Sequence, residues 1–368
     1  MQRLLAGPDD PRQTVGVRAR LHRRRRSFAL ALVTLTATAA SSCNGGDTCD
    51  VRPPRERALA AYVAAIDPDT HVPALASSLQ RLPGHPRRSI ELPRRTTDIS
   101  GFLSLQGCAL GERVGERNSG LGRVMMDSQR WVYEASFLRD AVVCLSLLTE
   151  PERSELAGVI TDKRADLPSV VWNAIWAGPE IQHLLALSGR DLDPGATGAA
   201  GPAADALAVL RRLADDPLRV TTPELEQALA TLRSSTVGGD LLRALEVLAH
   251  FLGAAADRLE AANRAPNCPH LRVVFERDYA GGLQPYIART HRAGASLLPV
   301  LQDLYKETSA RLPAELPAMA SWAEQIGPAG VRGRYEAALA RHTAAWRVLG
   351  ERCDFSPTAP SPVALDVR

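Results

Sequence analysis

The sequence predicts a mainly α-helical protein, an irregular multi-helix bundle with at most a short β element near residues 89–92. Three observations carry that expectation. Leu and Ala dominate a hydrophobic content of 45%, while β-branched runs are scarce. Apolar positions recur at three- and four-residue spacing, the period of a helix face. Clusters of Pro, Gly, Asn and Ser then cut the chain into helix-sized pieces. No repeat of fixed period marks a solenoid.

The first element is a targeting segment. Arg23-Arg24-Arg25-Arg26 precede an apolar run from Phe28 to Ala40, and the small residues Ala40-Ser41-Ser42 precede Cys43. A basic region, a short apolar region and small residues before a cut make an export signal. The run is shorter than the ~20 residues that a membrane-spanning helix needs. Cys43 directly behind the small residues resembles the lipobox of bacterial lipoproteins, in which that cysteine is acylated. We therefore expect residues 1–42 to be a lipoprotein signal peptide and Cys43 the lipidation site. Residues 43–52 would then form a lipid-anchored tether with a reach of about 30 Å. Arg25-Arg26-Ser27-Phe28 is similar to a twin-arginine signal, but the consensus is incomplete and general secretion is the expected route. The long basic region after Met1 is consistent with translation starting further along the chain. Asn44 lacks the aspartate that typically retains lipoproteins in the inner membrane. That places the expected location on the periplasmic leaflet of the outer membrane.

Removing the signal changes the charge argument. The whole chain carries +3, yet eight arginines and only two aspartates lie in residues 1–42. The remaining 36 basic and 39 acidic residues leave a net charge of −3. A mildly acidic body has no electrostatic footprint for nucleic acid. Lys163 and Lys306 are the only lysines, and every other basic residue except the histidines is arginine. The 326 residues from Cys43 onward are enough for a substantial core.

The body is expected to run as one α-helical domain over 53–353. Pro53-Pro54 opens an Ala-rich helix through Ala65, and Ser89-Ile90-Glu91-Leu92 is the only strand-like stretch nearby. A helix from Ile99 to Glu116 ends at the turn cluster Asn118-Ser119-Gly120. Ser128 is the expected N-cap of a helix reaching Leu148. Trp131, Ala135, Leu138, Val142 and Leu145 form its stripe, broadened by Phe137 and Cys144. Thr149-Glu150-Pro151-Glu152 reads as a capping box for the next helix. Pro168 kinks or restarts that helix, and Gly178-Pro179 breaks it.

Residues 188–203, rich in Gly, Ala and Pro, read as a flexible loop. Thr222-Pro223 then starts a helix. Leu241, Leu245, Leu248, Leu252, Ala255 and Leu259 make a bundle seam. Leu312, Leu316, Met319, Ala323 and Ile326 make a similar one, and Tyr335, Leu339, His342, Trp346 and Leu349 the last. From Asp354 onward a disordered tail is expected.

The export signal implies an oxidising compartment, so the cysteines are read as a disulfide framework. We pair Cys108–Cys144 and Cys268–Cys353, although four cysteines allow three connectivities. Cys49 remains on the tether as a free thiol or an intermolecular link.

Tests for chemistry-bearing motifs are mostly negative. Neither lysine lies in a phosphate-binding loop. The nearest histidines, His71 and His85, are too far apart for a local zinc motif. No nucleophile elbow occurs. No metal and no cofactor is expected. His342 on an apolar stripe reads as a satisfied core histidine, with a buried general base as the alternative. His250 falls off the leucine seam and is expected to be solvated. The densest polar stretch runs from Gly111 to Met125, where Glu116, Arg117, Asn118 and Arg123 could line a cleft. Its ordinary reading is a capped helix end with solvated ion pairs. In Val171–Glu180, Trp172 and Trp176 form either a packing node or a stacking wall for a ligand.

These stretches also carry a resemblance. Glu116-Arg117-Asn118-Ser119, Leu121-Gly122-Arg123-Val124-Met125, Ser128-Gln129-Arg130 and Tyr133-Glu134, followed by Trp172-Asn173 and Ala177-Gly178-Pro179-Glu180, resemble a bacterial lipoprotein family. That family is the domain of unknown function 3080, and the likeness covers about 43–353. It implies an envelope lipoprotein and supplies no catalytic residues. The candidate binding cleft is therefore Glu116, Arg117, Asn118, Arg123, Arg130, Glu134, Trp172, Asn173, Trp176 and Glu180.

The first expectation for function is a binding or scaffolding lipoprotein, partnered by the membrane and by an envelope protein or cell-wall component. An enzyme on peptidoglycan, glycan or lipid with Glu116 or Glu180 as acid/base is the alternative. A small-ligand carrier using the tryptophan wall is the third.

Overall fold

Proline sets where many of the helices begin. It has no N–H to leave unpaired, and its fixed φ suits the first helical turn. Prolines hold that position in α1 (Pro54–Ile66), α2 (His85–Arg88), α6 (Pro179–Leu184), α8 (Thr222–Arg233), α10 (Cys268–Val273), α11 (Gln284–Ser309) and α12 (Pro317–Glu324). The remaining helices are α3 (Ala109–Asn118), α4 (Asp127–Leu145), α5 (Glu152–Trp172), α7 (Ala200–Asp215), α9 (Val237–Ala262) and α13 (Val331–Arg352). This computed structural model describes residues 53–69, 71–93, 105–188 and 193–355. Among the described residues there is no strand, so the fold is an all-α multi-helix assembly. Cys43, Cys49 and the stretches expected to be the signal peptide and the tether lie outside the described residues.

The core is organised on α9. Leu241, Leu245, Leu248, Leu252, Ala255 and Leu259 are all buried, as the predicted seam requires. α13 lies along α9, and α1 packs on the same helix. α11 pairs with α7, α4 with α5, and α8 with both α6 and α7. The first turn of α9 comes very close to the end of α6. A Cβ on Gly239 would lie 2.1 Å from the Ala186 carbonyl oxygen, so only glycine fits there. The extended segment before α2 is tied to α9 by a buried carboxylate. Glu246 accepts from Ser77 Oγ at 2.6 Å and from the Ser78 N–H at 2.6 Å, and pairs with Arg243 at 3.1 Å. Burial alone would raise its pKa, but these donors hold it below the ordinary carboxylate value.

Several boundaries differ from expectation. α4 starts at Asp127 with Met126 at the N-cap, so Ser128 sits inside the first turn and caps nothing. Asp127 supplies the negative charge that a helix N-terminus favours. The predicted capping box at 149–152 does not form. Pro151 occupies the N-cap with no side-chain acceptor, and the Arg153 N–H bonds the Thr149 carbonyl instead. Pro168 lies within α5, which neither breaks nor restarts there. The 312–326 seam is not one helix. Pro313 and Pro317 cannot donate to a helical ladder, and only α12 forms.

The flexible loop assigned to 188–203 is shorter than expected. Ala200 and Ala203 are buried in the first turn of α7. Asp193 pairs with Arg289 at 2.6 Å. Phe355, assigned to the expected tail from Asp354, is buried against Phe275 and Trp346, and the rest of that stretch lies outside the described residues. The described part of the first predicted helix of this region is only α3, preceded by a 3-10 turn at Leu105–Gly107.

Two disulfides join distant helices, Cys108–Cys144 with Cα atoms 5.7 Å apart and Cys268–Cys353 with Cα atoms 5.3 Å apart. They are the predicted pairs. His250, expected in solvent, is half-buried, with Nε2 3.0 Å from the Pro73 carbonyl oxygen. His342 is a core residue. Trp346 Nε1 donates to Tyr62 Oη at 2.8 Å, and Tyr62 Oη lies 2.6 Å from His342 Nε2. An indole N–H only donates, so Tyr62 Oη accepts from Trp346 and shares its second hydrogen bond with His342 Nε2. Burial lowers the His342 pKa to about 3 and raises that of Tyr62 well above its usual value.

Two measurements follow from the core. The unfolded chain protonates its histidine near 6.5 whereas the folded one resists until about 3. Stability contributed by neutral His342 is therefore complete above pH 6.5 and is lost on acidification, by about 1.4 kcal/mol per pH unit across that window. Chemical denaturation over a pH series will show this slope, and His342→Phe will lack that share of it. Replacing both members of either disulfide by Ser will destabilise the protein. The loops of 36 and 85 residues correspond to about 4 and about 5 kcal/mol in the chain-entropy description, read by urea unfolding.

Candidate functional site

The site region is built where α5 ends. α5 passes directly into a π turn, Asn173–Ala177, and Gly178 and Pro179 then stop the helical ladder. A π turn displaces the hydrogen-bond pattern and proline supplies no N–H, so late carbonyls are left without helical donors. The buried Arg88 side chain meets them. Its Nε donates to the Trp176 carbonyl at 2.7 Å, and Nη2 donates to the Ala177 carbonyl at 3.1 Å and to Gln182 Oε1 at 2.8 Å. Its Nη1 donates to the Pro83 carbonyl at 2.7 Å. Burial lowers the Arg88 pKa, and Asp127 acts against that shift.

Asn173 completes the anchor. Its Oδ1 accepts the Ile90 N–H at 2.8 Å, and its Nδ2 donates to the Ile90 carbonyl at 2.7 Å. The strand-like stretch 89–92 is thus extended, but an amide side chain takes the place of a neighbouring strand. Trp172 Nε1 donates to the Arg88 carbonyl at 2.7 Å. Trp176 Nε1 donates to Thr308 Oγ1 at 3.0 Å. The rings of Trp172, Trp176, Tyr305 and Trp322 pack against one another with centroids 5.7 to 6.1 Å apart. The tryptophan pair is a packing node.

The second cluster is charged. Glu134 on α4 is buried and accepts from Arg130 at 2.6 Å and from Lys163 Nζ on α5 at 2.5 Å. Tyr133 lies beneath three cations. The guanidinium carbons of Arg117 and Arg130 are 6.0 and 5.8 Å from its ring centroid, and Lys163 Nζ is 5.2 Å from it. Burial raises the Tyr133 pKa to about 12, with Glu134 adding to the shift and Arg130 and Arg117 opposing it. Burial lowers the Arg117 pKa, and the like charge of Arg130 lowers it further.

The predicted cleft residues therefore separate into groups. Arg130 and Glu134 form the charged cluster with Arg117 at its edge, while Trp172, Asn173 and Trp176 form the node with Arg88. The two approach each other at α2, where His85 lies 3.4 Å from Asp127 and α4 packs on the π turn. They meet through buried rings and paired charges, not through polar groups converging on open space. Glu116, Asn118 and Arg123 are exposed and do not join either cluster. Glu180 pairs with Arg233 at 2.5 Å. Neither glutamate lines the groove described below. Among the described residues no group of three or more His, Cys, Asp or Glu is placed to hold a metal ion.

The open concavity lies on the far side of Trp172. A groove of about 510 Å³ runs between the end of α11 and the 309–326 segment. Trp172, Tyr305, Leu312 and Leu316 form its apolar wall, and Lys306 and Glu315 reach into it. Burial raises the Tyr305 pKa, and Glu315 adds to it. Sequence reading passed over this groove because Leu312 and Leu316 look like seam residues. The prolines beside them were the available signal, since they forbid the helix that the seam requires. Chemically the groove offers aromatic edges, the Lys306 cation and the carboxylates of Glu315 and Glu324, a set suited to binding.

A family model described as "Protein of unknown function (DUF3080)" matches residues 63–357. The chain belongs to that family. No curated protein and no solved structure matches it. The family match covers the Trp172–Arg88 node, the Glu134 cluster and the groove alike.

The energetic weight of the two clusters is testable. Asn173→Leu leaves both Ile90 backbone groups unpaired and will cost about 1–3 kcal/mol for each group. Glu134→Gln removes the carboxylate charge 2.5 Å from buried Lys163 Nζ and will cost about 3–5 kcal/mol. Denaturant midpoints at constant m-value are the measurement for both.

Proposed function

We propose that this protein is a membrane-anchored binding protein of the cell envelope, acylated at Cys43 and lodged on the periplasmic leaflet of the outer membrane. The observation that carries the binding part is the groove between α11 and α12, with one aromatic wall, Lys306 and Glu315. Such a site, mostly apolar with a few placed polar groups, suits an elongated amphiphilic ligand or an extended segment of an envelope partner. The anchoring part is supported by the signal, the small residues before Cys43 and the two disulfides, which form and persist in oxidising compartments. Among the described residues no helix is long and apolar enough to cross a membrane. Attachment through acyl chains is consistent with that.

Two experiments test the two parts separately. Metabolic labelling with a palmitate analogue will mark the wild-type protein and not Cys43→Ser, which will leave the membrane fraction. An unmarked wild-type protein rejects the anchor. For binding, muropeptides and lipid-derived amphiphiles will be titrated against tryptophan emission, since Trp172 lines the groove. A bound ligand will alter emission, and Tyr305→Ala together with Lys306→Glu will weaken it about tenfold or more. A panel that leaves the emission unchanged rejects the groove as the site.

A further inference from the structure

The loop joining α3 to α4 presents an apolar tip that the groove reading leaves unused. Leu121, Val124 and Met126 are 85, 75 and 46% exposed. The loop that carries them is tightly tied. Ser119 Oγ donates to the Glu116 carbonyl at 2.6 Å and accepts the Gly122 N–H at 3.0 Å. Arg117 Nη1 donates to the Gly122 carbonyl. Gly122 is buried under this turn, where a Cβ would lie 2.3 Å from the Glu116 carbonyl oxygen. The three apolar side chains are therefore held outward by an ordered turn. Soluble surfaces scatter such residues singly, and three on one turn require an explanation.

The rim around the tip is basic. Exposed Arg123 lies on the loop itself and has no side-chain partner among the described residues. Arg117, bonded to the Gly122 carbonyl, lies beside it, and Arg130 follows at the start of α4, where it shares Glu134 with Lys163. The His85–Asp127 contact brings α2, with exposed Arg87, to the same edge and occupies Asp127. Exposed Glu116 is the remaining carboxylate nearby. Apolar residues ringed by arginines match the two layers of a bilayer surface, anionic phosphates above hydrocarbon. A protein partner fits less well. A stable interface buries roughly 800 Å² on each side, which a convex tip of three side chains does not supply.

We propose that the 121–126 loop docks into the headgroup region of an anionic phospholipid bilayer, with Leu121, Val124 and Met126 reaching the acyl boundary and Arg123, the exposed arginine of the loop, receiving a lipid phosphate. This gives the body a second membrane contact, distinct from any acyl anchor, and so fixes which face it turns outward.

The test uses the full chain reconstituted with vesicles of phosphatidylethanolamine and phosphatidylglycerol whose acyl chains are brominated. A tryptophan is placed at the tip, as Leu121→Trp and separately as Val124→Trp, so that one misfolded variant leaves the other. Val143→Trp is the control. It is exposed like the tip but lies about 24 Å along α4 from its start. The native tryptophans are buried or nearly so. Bromine will quench emission at 121 and 124 and spare 143. Omitting phosphatidylglycerol, or introducing Arg123→Glu, will lower the docked population about fivefold. Equal quenching at all three positions, or at none, overturns the proposal. So does a concentration-dependent blue shift of the position 121 emission without lipid, which would mark a second copy covering the tip. The contrast between tip and control reads the loop whether or not Cys43 is acylated.

Discussion

A π turn followed by proline strands several carbonyl groups inside the protein, and a single guanidinium meets them. Arg88 donates to Trp176, Ala177 and Pro83 carbonyls and to Gln182. No other side chain carries enough donors in one planar fork for that duty. The arrangement is why an arginine without an adjacent carboxylate is tolerated in the interior. Removing the charge from water is costly, and each carbonyl it satisfies would otherwise remain buried and unpaired.

That one contact also organises its surroundings. It pins the 83–90 segment, which carries α2, to the end of α5, with Asn173 and Trp172 adding bonds on either side of it. With the segment fixed, α2 brings His85 to Asp127 at the start of α4. With the π turn fixed, Trp176 reaches Thr308 on α11 and Trp172 becomes the floor of the groove. The groove, the charged cluster on α4 and α5, and the apolar loop are thus three outer faces of one buried knot. The groove and the loop are the faces with unspent binding capacity, since the charged cluster is internally paired.

The helical seams were legible because a leucine repeat at three- and four-residue spacing leaves little choice. The α9 and α13 faces are buried as that repeat demands. The two disulfides are the chosen pairs, although spacing alone left three connectivities open and the folded chain decided between them. Caps were not legible. Ser128 looked like a cap by type, yet Asp127 began the helix one residue earlier and paired with a histidine 42 positions away. The Gly/Ala/Pro stretch before α7 looked unable to pack, yet its alanines meet a core that other helices supply.

Local rules dictate helix content, the stops at proline and the export-like N-terminus, because each depends on residues within a turn or two of one another. Site geometry came only from the folded chain. The carbonyls of Trp176, Ala177 and Gly178 that Arg88 meets are 88 to 90 positions away in sequence, and the groove exists because two prolines expel a would-be helix onto the flank of α11. Contacts of that range are set by how helices stack, and stacking is settled by the whole core at once.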